Sequence, residues 1–63
     1  MRDPNRLYKF YNHFALLHAT AFPDLREGQV WFSFFRWCEK KNIDPFYIES
    51  EELLVLFTEF AGL

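Results

Sequence analysis

Few side chains in this sequence could carry covalent or metal chemistry: Cys38, His13, His18 and the acids Glu49, Glu51 and Glu52. Cys38 with either histidine would supply a nucleophile and a base. Cys38, however, falls near the centre of an apolar arc beside Trp31 and Phe34, where burial raises a thiol's pKa and leaves it inert. His13 and His18 are five residues apart, about 140° around a helix, so they cannot clasp one ion from one face. His18 falls near the apolar face and reads as a hydrogen-bonded, partly buried histidine. A hydrolytic pair among Glu49, Glu51 and Glu52 would need a cleft and one raised pKa. At the start of a helix these acids have a sufficient structural reason to be there. There is no nucleophile elbow, phosphate loop, dinucleotide fingerprint or HExxH pair. The expectation is a protein that is not an enzyme and uses no cofactor and no metal.

Three helical patterns must position these groups. The first, about residues 4–21, opens at Asp3-Pro4, an N-cap followed by a proline whose missing N–H leaves no donor unpaired. Leu7, Phe10, Tyr11, Phe14, Leu17 and Ala21 recur every three or four residues, marking its buried face. Pro23 ends it. The second, about 25–41, is predicted to start with a capping box of Asp24 and Glu27. Its polar residues Arg26, Gln29, Ser33, Arg36 and Lys40 share an arc of about 80°. Leu25, Val30, Trp31, Phe32, Phe34, Phe35, Trp37 and Cys38 occupy most of the rest, making this the central helix. Gly28 suggests a close approach of the first helix, and Asn42 a left-handed cap. The third, about 51–61, starts near Ser50, buries Leu53, Leu54, Leu56, Phe57 and Phe60, and stops at Gly62.

Residues 43–49 form the connection before the last helix. Asp44-Pro45 reads as a turn start. Phe46, Tyr47 and Ile48 are too apolar for a free loop and are expected to anchor it to the core, in a strand-like or helical form that the pattern leaves open. The fold class is therefore all-α: a small three-helix bundle in one domain, 1–63, with an apolar connection before the last helix.

Composition narrows the function further. The chain has 63 residues, 51% hydrophobic and 25% charged, with nine Phe, three Tyr and two Trp. So short a chain buries only roughly 60% of its unfolded surface, and one cysteine permits no internal disulfide. Stability must come from dense aromatic packing, from association, or from both. A net charge of −2 argues against bulk attraction to nucleic acid. No apolar run reaches membrane-span length, and Met-Arg-Asp-Pro does not resemble a leader. With an unpaired cysteine, a cytoplasmic protein without membrane attachment is expected.

Arg2-Asp3-Pro4, the stretch Pro23-Asp24-Leu25-Arg26-Glu27-Gly28-Gln29 and the stretch Asp44-Pro45-Phe46-Tyr47-Ile48-Glu49-Ser50 carry a resemblance across nearly the whole chain. It resembles short bacterial proteins of unknown function that share an R-D-P start, a P-D-x-R-x-G-Q element and a D-x-F-Y-I-E-D element. Glu27 stands where that pattern has an apolar residue, and Ser50 where it has Asp. The resemblance implies a helical fold and no known activity.

Interaction surfaces remain. Tyr8, Asn12, Ala15, Leu16 and Ala19 lie opposite the buried stripe of the first helix, and Tyr8, Asn12 and Leu16 are candidate partner-binding residues. Arg26 and Gln29 suit either a loop-fixing role or recognition. Arg2, Arg6 and Lys9, in line with His13, form a basic stripe, while Glu49, Glu51 and Glu52 make the last third acidic; both are candidate charged contact patches. The sequence thus predicts a non-enzymatic protein–protein interaction module, binding a protein partner or forming a homodimer. The alternative is a small regulator or inhibitor that binds nucleic acid or a nucleic-acid-processing protein, its basic stripe meeting phosphate or its acids a basic groove.

Overall fold

A computed structural model describes residues 2–63. Helix α1 spans Asn5–Ala21, α2 spans Glu27–Lys40 and α3 spans Ser50–Ala61, with a 3-10 turn at Pro45–Tyr47. There is no strand among the described residues. The chain is an all-α three-helix bundle, as its periodicity predicts.

Local chemistry sets the helix ends. The Asp3 carboxylate accepts the Asn5 N–H at 3.0 Å, which caps the start of α1. At its end the Phe22 N–H donates to His18 O, and Pro23 follows. The predicted Asp24–Glu27 box does not form. Leu25 N–H instead donates to Phe22 O, closing a turn that delays α2 to Glu27. There the Gln29 Oε1 accepts the Arg26 N–H at 2.8 Å, the reach-back half of a capping box shifted two residues along. Helix α2 ends in a Schellman motif. Ile43 N–H donates to Cys38 O and Asn42 N–H to Glu39 O, with Asn42 at φ 59°. The same motif ends α3, with Gly62 at φ 76°. Gly28 serves no close approach, since a Cβ there would meet nothing within 4 Å.

Helices α1 and α3 run in the same direction and approach most closely. Arg2 meets Glu49 at one end, Phe14 meets Phe57 in the middle, and Phe22 meets Phe60 at the other end. Helix α2 packs on both through rings. Trp31 stacks on Phe14 with centroids 4.8 Å apart, and Phe34 contacts Phe57 at 5.2 Å and Phe60 at 5.6 Å. Val30, Phe34, Cys38 and Phe57 are fully buried, joined by Phe10, Phe14, Leu17 and Leu54. Each aromatic pair contributes about 0.5–1.5 kcal/mol beyond its area burial, which is how a chain this short replaces a disulfide.

Two predicted core stretches point outward. Leu7 and Tyr11 are exposed; among the described residues, α2 meets α1 where Trp31 and Leu25 reach Phe10, Phe14 and His18. Phe46 and Tyr47 do not anchor the connection; they are 80% and 82% exposed. Ile43 packs on the core and Ile48 is half-buried. Those two residues hold the ends of the connection, and the turn between them faces solvent.

Candidate functional site

The connection builds the most distinctive surface of the molecule. The Asp44 carboxylate accepts the Phe46 N–H at 3.0 Å, and Ile48 N–H donates to Pro45 O. Proline pre-sets the backbone for this turn, and the aspartate locks it. Phe46 is thereby held out from the core, its ring edge-on to Tyr47 at 4.8 Å. Facing it are Trp31 and Phe35 of α2, their rings 5.7 Å apart, and Leu53 of α3. Together with Asp44 and Pro45 these residues line an open cleft of about 390 Å³. Its lining is aromatic and aliphatic, with a single carboxylate that already has a hydrogen-bond partner.

The cleft differs from two other rings on α2, the exposed Phe32 and the half-buried Trp37. The Arg36 guanidinium lies 5.8 Å from the Phe32 ring, and the Lys41 ammonium 5.2 Å from Trp37. These cations cover the two faces and keep them hydrated. No such cation covers Phe35 or Phe46 among the described residues. Contacts among Tyr11, Phe10, Trp31 and Phe35, with centroids 5.1, 6.4 and 5.7 Å apart, connect the cleft through the core to the exposed side of α1.

The structure separates the sequence-predicted binding residues. Tyr8 and Asn12 share a shallow depression with Pro4, Leu7 and Tyr11. Tyr8 is 72% and Leu16 63% exposed, but Leu16 lies outside that depression. Neither the connection nor the described part of the N-terminus covers this face. Arg26 and Gln29 are exposed at the start of α2, where Gln29 serves the helix cap.

The two charged patches are not segregated. Arg2 Nη2 donates to Glu49 Oε1 at 2.7 Å. Arg6 and Lys9 border a narrow depression with Ser50 and Glu51. Arg6 Nη1 also donates to Asp3 O, while its Nε is buried without a partner among the described residues. Running α1 and α3 in the same direction brings the basic start of one helix beside the acidic start of the other. Glu52 is exposed in the first turn of α3.

Two of the potentially reactive groups, Cys38 and His18, hold structural positions. Burial pushes the Cys38 thiol above its ordinary pKa. The half-buried His18 donates from Nε2 to Leu25 O at 2.7 Å, with Phe14 against its ring at 6.0 Å. It ties the end of α1 to the turn before α2. Among the described residues, no three His, Cys, Asp or Glu side chains are grouped to hold a metal ion. No helix among them is long and apolar enough to cross a membrane.

The sequence reading missed Trp31, Phe35, Phe46 and Leu53 as one surface. The available signal was Asp44-Pro45-Phe46-Tyr47 itself. Two adjacent aromatics in a proline-started turn have no repeat that would put both on a core face. No protein family, curated protein or solved structure matches the chain, so the assignment of this site rests on its geometry.

Proposed function

We propose that the protein is a non-enzymatic interaction module that docks another polypeptide on its aromatic cleft. The observation that carries this reading is Phe46: a large apolar ring fixed outward by a hydrogen-bonded turn, beside Trp31 and Phe35, with no cation over it among the described residues. Rigid exposed aromatics next to an apolar depression are the usual anchors of protein interfaces. Holding the ring in place beforehand lowers the entropy lost on binding. Binding needs only this surface, whereas catalysis would need a constellation that these residues do not make. The alternative, a regulator that contacts phosphate through the basic stripe, is weakened by the Arg2–Glu49 pair and by Glu51 beside Arg6 and Lys9. A cytoplasmic location accords with the single thiol and is part of the same proposal.

The test is affinity capture from cell lysate together with sedimentation, using the wild type, Phe46→Ala and a Tyr8→Ala/Leu16→Ala control. The expected result is an association, with itself or with another protein, that Phe46→Ala removes and the control retains. If every association survived Phe46→Ala, the cleft would lose its role. Steep salt dependence would shift the reading to phosphate contact.

A further inference from the structure

We infer that the occupant of the cleft is a second copy of this chain, with Phe46 of each copy seated in the other's cleft. This rests on the interaction-module reading and names its partner.

The first support is surface area. The chain exposes 4976 Å², whereas a compact monomer of its mass is expected to expose about 4300 Å². The excess, about 650 Å², is close to the roughly 800 Å² that each partner covers in a standard-size complex. The bundle leaves about as much surface unburied as one self-contact would cover.

The second support is self-complementarity. A two-fold contact requires both halves of a matching pair on the same patch. Here the projecting ring, Phe46, borders the depression formed by Trp31, Phe35 and Leu53. A two-fold axis beside the 3-10 turn would exchange ring for depression, making two equivalent contacts. The third support is that little opposes it. The Asp44 carboxylate keeps its Phe46 N–H partner within each copy, and a net charge of −2 per chain gives weak mutual repulsion.

Sedimentation equilibrium from micromolar to millimolar protein tests the inference. The wild type is expected to show a monomer–dimer equilibrium. Phe46→Ala and Phe35→Glu should each raise the dimer Kd at least about tenfold, with helical content by circular dichroism unchanged because both side chains face outward. Mixing the two variants should recover dimer of intermediate strength. In that mixture, Phe46 of the Phe35→Glu chain still meets the unchanged Trp31, Phe35 and Leu53 wall of the Phe46→Ala chain, restoring one contact of two. A strictly monomeric wild type overturns the second-copy inference, and capture of a different protein that depends on Phe46 would then leave the module reading standing. Dimerisation unaffected by Phe46→Ala but lost in Tyr8→Ala/Leu16→Ala would move the interface to α1. A mixture no stronger than either variant alone would overturn the exchange of rings.

Discussion

Two aromatic regions of this molecule have similar composition and opposite fates. In the interior, Phe14, Trp31, Phe34 and Phe57 come from three helices and close on one another within about 6 Å. In the connection, Phe46 and Tyr47 touch each other and stand mostly in solvent. Residue type does not separate the two groups; placement on a repeating helix face does. A ring at helical spacing shares its face with others and is buried with them. A ring in a three-residue turn is aimed by that turn alone. On the proposed function, stability belongs to the first region and association to the second, and substitutions can break that assignment.

The largest effect belongs to the interior. Phe34→Ala or Phe57→Ala removes a fully buried ring and is expected to cost about 3–5 kcal/mol. Against the few kcal/mol that so small a domain holds, urea denaturation should find either variant largely unfolded. A loss under about 1 kcal/mol would mean that the rings are not locked and that the comparison fails on its interior side.

Next comes Cys38, which fills the wall of that interior. Cys38→Ser places a hydroxyl in an apolar site and should cost about 1–3 kcal/mol. The thiol also sets a pH dependence. Its folded-state pKa lies above that of the unfolded chain, so its contribution is complete below the unfolded value of about 8.5 and is lost as pH rises toward the folded value. Stability should therefore fall above about pH 8.5, and fall less in Cys38→Ala, measured by denaturant unfolding at stepped pH. Equal alkaline loss in both proteins would show that the thiol is not sealed.

The same contrast explains what could be read in advance. The three helices, the left-handed Asn42, the Gly62 stop, the buried Cys38 and the half-buried His18 follow from spacing and capping chemistry. Those signals are local, and packing agrees with them. Helix α2 starts later than its pattern predicts because Asp24 and Gln29 both offer cap chemistry, and the Pro23 turn decides between them. Leu7 and Tyr11 share the spacing of the buried stripe yet are exposed, because a helical stripe does not say how far along the helix its neighbour reaches. Sequence distance separates the basic and acidic patches and hides the shared direction of α1 and α3 that brings them together. The cleft was hidden for the same reason: Trp31, Phe35 and Leu53 meet Phe46 only after the connection has turned back along α2.

A smaller effect tests that shifted helix start. Gln29→Ala removes the acceptor of the Arg26 N–H and is expected to cost about 0.5–1 kcal/mol. Asp24→Ala, whose side chain makes no such bond, should change stability by under about 0.5 kcal/mol. The reverse order in thermal unfolding would restore the Asp24 cap.

The smallest effect on folding is expected where the effect on association is largest. Phe46 gives almost none of its ring to the core, so Phe46→Ala should alter unfolding free energy by less than about 0.5 kcal/mol at concentrations where the chain is monomeric. A ring exposed this far can lower the free energy of the single chain very little, yet the turn still fixes its direction through Asp44. Asp44→Ala separates these two properties. It leaves the ring in place chemically but removes the acceptor that aims it, so it should weaken self-association by a smaller factor than Phe46→Ala, through the entropy of a freed loop. Stability and dimer Kd measured on the same three proteins then rank oppositely to Phe34→Ala, whose damage falls first on folding. If Phe46→Ala instead destabilised the monomer as a core substitution does, the outward ring would be part of the interior, and the distinction between the two aromatic regions would collapse.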